Sequence, residues 1–492
     1  VPSGTPGDPR AVQLAFLREI RRVIRADGCL FLAIENCYAW KTWFQHADGH
    51  TGLRFVTWLP RRLADMYSRL RTGRPYRNYL YGKSDYSKLL GEAGFSETSF
   101  DVPLPGYHHP TSMAPLAHPK TIQRAVSPPG TEGLRRWKGK LKGKLTARFP
   151  DCFAIRATSD SQSQTFVERL CRHVEPSLRE SAGTRFGVEN YRINGEMGIV
   201  TIVLCNESQT GIQRAVLKLP LHDRARDNLV RESETFSVIH DGMHPLSSMQ
   251  GLLPRVLSSG SFERENFVIY SYLYGETGDH RPFSRTKLAS KAVEFLADMH
   301  QASSDSMKST TTTAIELVAM AGNRVRSLAS STAQEQFVRR IVESLQDEWS
   351  TNPLPLVIGH GDFKLANCVF DSTSKTLSGV LDWGAGFSPE LALYDLAFLL
   401  VGMEAENAEL TSVLSAWMQG HPIEKTSLEQ LDWFSRRVGV VVTPDRVKQL
   451  AGYQWLKRIA PLAGGYECRR YDFRYLDSMF DVAAGFSDSA KS

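Results

Sequence analysis

The sequence predicts two dissimilar parts: an α/β segment over residues 1–158, then an α+β segment of strands followed by long helices. Three observations carry this. Helical spacing alternates with short apolar runs up to residue 102. β-like runs gather between 186 and 273, and mostly helical segments continue from there to residue 485. With 492 residues, 42% of them apolar, the chain has material for more than one core. Its longest apolar run, Leu396–Met403, falls well short of the roughly 18–20 residues that span a bilayer.

Each element follows from local pattern. Val12, Phe16, Ile20, Val23 and Ile24 give residues 11–25 a helical period, which Arg25-Ala26-Asp27-Gly28 ends with turn chemistry. Cys29–Ile34 is a short apolar run, expected as a buried strand of a parallel sheet. Ser84–Ala93 reads as a helix stopped at Gly94, and Phe95–Val102 as a strand closed by Pro103 and Pro105. Residues 103–135 show no period. Then come Arg135, Arg136, Lys138, Lys140, Lys142, Lys144 and Arg148 without an acidic residue among them, and Phe153–Ala157 as a further strand. The expected division is 1–158, a linker at 159–180, and two lobes at 181–275 and 276–492.

A net charge of +6 is mild for this length, so no nucleic-acid partner is expected. The basic run 135–148 is a candidate for weak contact with an acidic surface, with Trp137 as an interfacial anchor; the commoner role of such a run is a solvated helix face. Seven cysteines without a CxxC pair fit neither a disulfide framework nor a zinc site, and point to a reducing, cytoplasmic compartment. The start, Val1-Pro2-Ser3-Gly4, reads as that of a processed chain or of a piece of a longer one.

The strongest chemical signal is His360-Gly361-Asp362-Phe363-Lys364-Leu365-Ala366-Asn367, followed by Leu381-Asp382-Trp383-Gly384. Both follow apolar strand-like runs, so their polar groups fall at strand ends. Phosphoryl transfer needs a carboxylate to accept a hydroxyl proton, and further oxygen ligands to hold Mg²⁺ against phosphates. Asp362 with Asn367 five positions on has the catalytic-loop spacing of protein kinases, and Asp382 stands where their second metal-binding aspartate would stand. Any one piece alone is an ordinary Asp/Asn turn.

Upstream, Phe186–Ile193 and Ile199–Leu204 are joined by Asn194-Gly195-Glu196-Met197-Gly198, a turn whose Gly195 and Gly198 would let backbone lie over phosphates. Lys218 sits in the apolar run Ala215–Leu219, the expected place for a phosphate-binding lysine; otherwise it is an outward-facing strand residue. The helix around Asp227–Ile239 carries Glu232 and Glu234, of which Glu232 is the expected partner of Lys218 by spacing. Phe267–Leu273 leads into Tyr274-Gly275-Glu276, the expected adenine-side hinge. His300, at the end of a helix over Lys287–Met299, is expected to be structural or capping, and His360 to hold its loop.

From about 180 to 485 the chain resembles the aminoglycoside phosphotransferase and choline kinase-like family, including Tyr394-Asp395-Leu396-Ala397. The resemblance implies a bilobal protein-kinase-like fold and ATP-dependent phosphorylation of a hydroxyl on a small molecule. It makes Asp362 the base, Asn367 and Asp382 the Mg²⁺ ligands, and Lys218 the phosphate anchor. Gly384 replaces a common acidic residue, and Lys364 replaces a common histidine, from where it would either reach the γ-phosphate or stand as a loop lysine in solvent. The acceptor pocket would be set by residues 405–485, where Trp433, Tyr453, Trp455, Arg469, Arg470 and Tyr471 fit core or pocket alike.

Leu14–Asn36, Tyr86–Phe95, Asp101–Tyr107 and Asp151–Ala157 resemble the second half of a class I S-adenosylmethionine-dependent methyltransferase, a Rossmann-like fold. The glycine-rich turn that such a fold uses for its cofactor has no counterpart here, so S-adenosylmethionine is not expected to bind this chain. Glu35 and Asn36 would lie near the ligand in an intact parent, or else are simply a polar pair ending a strand, the commoner case, and Cys37 stands where an arginine is common. The functional expectation is a Mg-ATP phosphotransferase fused to a methyltransferase remnant. The alternatives are a non-catalytic kinase-like scaffold, or a recognition module of a longer methyltransferase.

Overall fold

In the computed structural model the first helix, α1 (Pro9–Val23), starts at Asp8, whose side chain accepts a hydrogen bond from the Ala11 amide; Pro9 stands in the first turn, where its missing N–H costs nothing. The structure describes residues 7–464 except 45–46, 127–132, 160–163, 177–185, 195–197, 209–210, 279–284, 309–312, 372 and 406–408, and beyond 464 only 476, 479 and 480. The chain divides into two units, 1–225 with 257–271, and 226–256 with 272–492.

The first unit continues with β1 (Cys29–Glu35), α2 (Arg61–Thr72), α3 (Lys83–Glu92), β2 (Glu97–Leu104), β3 (Ser112–Pro115), α4 (Pro119–Val126), α5 (Gly133–Arg148), β4 (Cys152–Thr158) and α6 (Phe166–Val174). Then come β5 (Gly187–Asn194), β6 (Ile199–Ser208), β7 (Gly211–Pro220), β8 (Val256–Phe262) and β9 (Glu265–Ser271). The strands form one nine-stranded sheet in the order β1-β4-β2-β3-β5-β6-β7-β9-β8.

β1 is not the buried strand expected of it: at the edge of the sheet it alternates exposed and half-buried residues, with Phe31 72% exposed. β1 and β2 both pair antiparallel with β4, which runs between them with Thr158 opposite Cys29 on one side and Glu97 on the other. A short apolar run marks a strand but fixes neither its place in the sheet nor the direction of its neighbour, so the sequence left both open. The sheet also joins the segments on either side of the 159–180 stretch: β3 pairs with β5, Ser112 opposite Arg192. β3 and α4 lie where no period was visible, and α6, capped by Thr165 and Glu168, lies inside the expected linker.

Among the described residues four apolar clusters hold this unit, two of them larger than the others. Leu17 of α1 and Leu89 and Leu90 of α3 pack on Phe100, Phe153 and Ile155. Leu170, Cys171 and Val174 of α6 cover Ile202, Leu204, Leu217 and Ile269.

The second unit holds nearly all of α7 (Asp223–His240), then β10 (Glu276–Thr277), α8 (Arg285–Met307), α9 (Ala314–Arg326), α10 (Thr332–Thr351), β11 (Leu356–Gly359), β12 (Cys368–Phe370), β13 (Leu377–Val380), β14 (Ser388–Leu391), α11 (Tyr394–Glu404), α12 (Leu410–Met418), α13 (Lys425–Val438) and α14 (Pro444–Ile459). α8 runs past Met299 to Met307, so His300 does not cap it. His300 is an interior, buried residue packed edge-on against Phe434, at 5.3 Å between ring centroids. Burial lowers its pKa to about 3, so the ring is neutral. Seven of the eleven residues of α11 are buried, which fits its apolar composition on all sides. Among the described residues no helix is long and apolar enough to cross a membrane.

Candidate active site

The second unit builds its site between two short strand pairs. β11 pairs antiparallel with β14, and β12 with β13, leaving 360–367 and 381–387 as the loops at their ends. Helix α8 fixes the first strand: Ser303 Oγ accepts from the Ile358 amide at 3.0 Å while donating to the Met299 carbonyl at 2.8 Å. After Gly359 the chain turns sharply. Gly361 has φ 83°, and a Cβ there would stand 2.8 Å from the Ala385 carbonyl oxygen, so glycine is required twice over.

Within this loop the predicted residues meet. Asp362 Oδ2 accepts from Lys364 Nζ at 2.7 Å and from Asn367 Nδ2 at 3.2 Å. Asn367 Nδ2 also donates to the Asp362 carbonyl at 2.9 Å, which closes the loop on itself. The Asn367 carbonyl accepts from the Leu381 amide at 2.8 Å, which brings Asp382 to the same end of the strands. Asp382 has φ 59°, a left-handed conformation that aspartate tolerates better than most residues.

His360 holds this loop without moving protons. It is fully buried; its Nδ1 accepts from the Asp362 amide at 3.3 Å, so Nε2 carries the proton and donates to the Leu381 carbonyl at 2.9 Å. Burial lowers its pKa and keeps the ring neutral. Trp383 covers it at 4.5 Å between centroids.

Sequence reasoning missed the residue that anchors the turn. Asp395, at the start of α11, accepts from the His360 amide at 2.7 Å and the Gly361 amide at 2.9 Å, and is 1% exposed. Burial, with neighbouring Glu390 adding to it, pushes its carboxyl up to about 7 against the pull of those two amides. An acidic residue flanked by Tyr394 and Leu396 in an apolar helix start was the available signal. Ser303 and Arg231 were missed too; Arg231 donates to the Gly384 carbonyl at 3.3 Å.

Asn367, with its amide nitrogen committed to Asp362, has a carbonyl oxygen to offer a cation, and Asp382 adds a carboxylate. These hard oxygen donors suit Mg²⁺. Among the described residues no three His, Cys, Asp or Glu side chains gather to hold a metal on their own. Magnesium bound against phosphates uses few protein ligands, so this donor set fits it.

Lys218, in the first unit, is buried on β7 opposite Thr201 and Val268, with Nζ 5.3 Å from the Tyr270 ring centroid. Glu232 is buried on α7 in the second unit. Gly198 has φ 64° and closely faces His222, which leaves no room for a side chain. Gly195 lies outside the described residues, as do Arg469, Arg470 and Tyr471. Tyr453 and Trp455 are core: Tyr453 packs against Trp349 and Tyr394 and donates to Glu390 Oε1 at 2.8 Å, and Trp455 donates to the Met479 carbonyl. Trp433 instead lines an open cleft of about 630 Å³ with Glu294, Asp298, Arg436 and Arg437.

Residues 203–424 match the phosphotransferase enzyme family. The matched stretch contains Lys218, Glu232 and the loops carrying Asp362, Asn367 and Asp382. Comparison with curated proteins returned no match. Among solved structures the chain is similar to a putative aminoglycoside phosphotransferase from Ralstonia eutropha, at 14% identity over 67% of this chain and 99% of that one, TM-score 0.45. It is similar also to an aminoglycoside phosphotransferase from Streptomyces rimosus solved with ADP and streptomycin, at 18% identity over 52% and 90%, TM-score 0.35. A third likeness is to an ethanolamine kinase from Plasmodium vivax, at 14% identity over 68% and 89%, TM-score 0.41.

Proposed function

We propose that this chain transfers the γ-phosphoryl group of ATP to a hydroxyl of a small molecule. The observation that carries the reading is the loop 360–367, in which a carboxylate at a strand end is oriented by Asn367 and Lys364 while buried His360 and Asp395 fix the backbone beneath it. The family match over 203–424 supports it.

In this reading Asp362 accepts the acceptor hydroxyl's proton and aims its oxygen. Asn367 Oδ1 and Asp382 would hold Mg²⁺, which when bound with nucleotide supplies charge neutralisation at the phosphates. Lys218 would take phosphate oxygens, and Lys364 would move from Asp362 to the transferring group. Positioning and electrostatics carry the rate. Segment 1–158 runs in the order α1, β1, α3, β2, β4, and on that order we read it as methyltransferase-like.

Thermal unfolding with Mg-ATP, with ATP and chelator, and with S-adenosylmethionine tests both parts. A ligand at about 100 times its Kd adds roughly 2.7 kcal/mol to what it binds. Stabilisation by Mg-ATP that chelator removes is expected, with none from S-adenosylmethionine. No shift with Mg-ATP at saturating concentration would leave a scaffold and remove the kinase reading.

A further inference from the structure

Helix α2 is built inside out for a helix in water. Ala64 and Ser68 face the interior, while Leu63, Met66 and Leu70, spaced i, i+3 and i+7, are 46%, 54% and 78% exposed. Arginines frame that apolar stripe: Arg62, Arg69 and Arg71 on the helix, Arg74 just beyond it, all exposed. A helix whose outer side met only water would carry its charges along that side, not around it.

Helix α5 has the same character. Its small residues Gly139, Gly143 and Ala147 turn inward, and Trp137, 61% exposed, and Leu141, 38% exposed, follow at i and i+4 on the outer side among exposed Lys138, Lys140, Lys142 and Lys144. The two helices are joined by one aromatic cluster. Trp58, two residues before Pro60 at the start of α2, meets Trp43 at 5.2 Å, and Trp43 meets Phe149, next to the end of α5, at 4.7 Å. Trp40 Nε1 also donates to Thr146 of α5 at 3.0 Å.

Charge decides the partner. Residues 61–77 carry six arginines against Asp65, and residues 133–148 carry seven basic residues and no acidic one. Their combined excess of twelve is twice the net +6 of the chain, so everything else is net negative and the positive charge is concentrated on this part of the first unit. Two copies meeting through such surfaces would repel each other. A nucleic acid would satisfy the bases but gain nothing from aliphatic Leu63, Met66 and Leu70. An anionic lipid surface satisfies both, because phosphate head groups meet the Lys and Arg while Leu, Met and Trp enter the boundary with the acyl chains.

We propose that α2 and α5 form a docking surface for an anionic bilayer, on which the protein lies peripherally. The surface uses no residue of the phosphotransferase site, so it stands or falls apart from that function.

The test is co-sedimentation of the full chain with phosphatidylcholine vesicles, plain or containing about one third phosphatidylserine. Binding to the mixed vesicles alone, weakened by salt, is expected. Leu63→Ser with Leu70→Ser should lower the partition coefficient about tenfold. Lys140→Glu with Lys144→Glu should lower it by more, since each basic residue near such a surface is worth roughly fivefold. The wild-type comparison needs no variant to fold. Equal binding to both vesicle types, or to neither, overturns the proposal. So does undiminished vesicle binding by the folded leucine variant, or binding to a duplex oligonucleotide that exceeds binding to the mixed vesicles, which would assign the surface to nucleic acid.

Discussion

Two strand ends in this chain each present a carboxylate beside a histidine, and they are held in opposite ways. At the end of β1, Glu35 Oε1 accepts from Tyr107 at 2.9 Å and lies 3.7 Å from Nε2 of an exposed His50. Beyond β11, Asp362 stands on a backbone turn tied to the buried Asp395 carboxylate, beside a histidine with no exposure at all. What separates them is the support beneath the carboxylate. Glu35 rests on side chains that water can reach and replace, whereas the turn under Asp362 cannot move without leaving buried amides unpaired. Precision of that kind is what a reacting group needs.

The largest expected effect breaks the comparison at its centre. Asp362→Asn keeps shape and removes the base, so turnover should fall by about 10²–10⁴-fold, the usual worth of a general base. The Kd for Mg-ATP should stay within roughly threefold, because only the transition state loses a contact. Nucleotide consumption in the presence of a hydroxylated acceptor, alongside calorimetric titration, reads both; full turnover in the variant would remove Asp362 from the chemistry.

Next is the support itself. Asp395→Ala leaves the His360 and Gly361 amides buried without an acceptor, at about 1–3 kcal/mol each. Unfolding by urea should show that loss, and Asp395→Asn, which retains one acceptor oxygen, should recover part of it. In the folded Asn variant kcat should drop with KM little changed. A drop in stability with kcat intact would make Asp395 structural only.

This division also explains what was legible in the sequence. Asp362, Asn367 and Asp382 were readable because a fixed spacing along one loop survives any change of surroundings, and their meeting in space follows from two adjoining hairpin ends. The role of Asp395 was not, because its partner amides are 34 and 35 residues away, and an acid in an apolar helix start does not say what it will hold. Likewise the apolar runs at β1 and β4 announced strands but not that β1 would be the exposed edge of the sheet. β3 and α6 were missed because four residues in a Pro-rich stretch and one short capped helix carry too little period to register.

A smaller effect concerns pH. His300 is neutral in the fold down to about pH 3, whereas the unfolded chain binds a proton near 6.5. Below 6.5 the unfolded state therefore holds more protons, and stability falls as pH falls from 6.5 toward 3. Neutral His360 acts in the same sense. Asp395 acts oppositely: its native carboxyl keeps a proton up to about 7 and its unfolded one releases it near 4, so its contribution declines as pH rises between those values. His300→Leu should remove about 2 kcal/mol of the acid destabilisation between pH 7 and pH 5. Urea midpoints at both pH values measure it, and an unchanged slope would mean that the ring finds a partner in the native state.

The smallest expected effect is at the other strand end. Glu35→Gln keeps an acceptor for Tyr107 and loses only a charge facing exposed His50, a pairing that surface ion pairs value at about 0–1 kcal/mol. Phosphoryl transfer should stay within roughly twofold of wild type, and the unfolding midpoint should barely move. A tenfold loss of transfer from this variant would show that the two strand ends work together, and the contrast between a supported and an unsupported carboxylate would no longer identify where the chemistry lies.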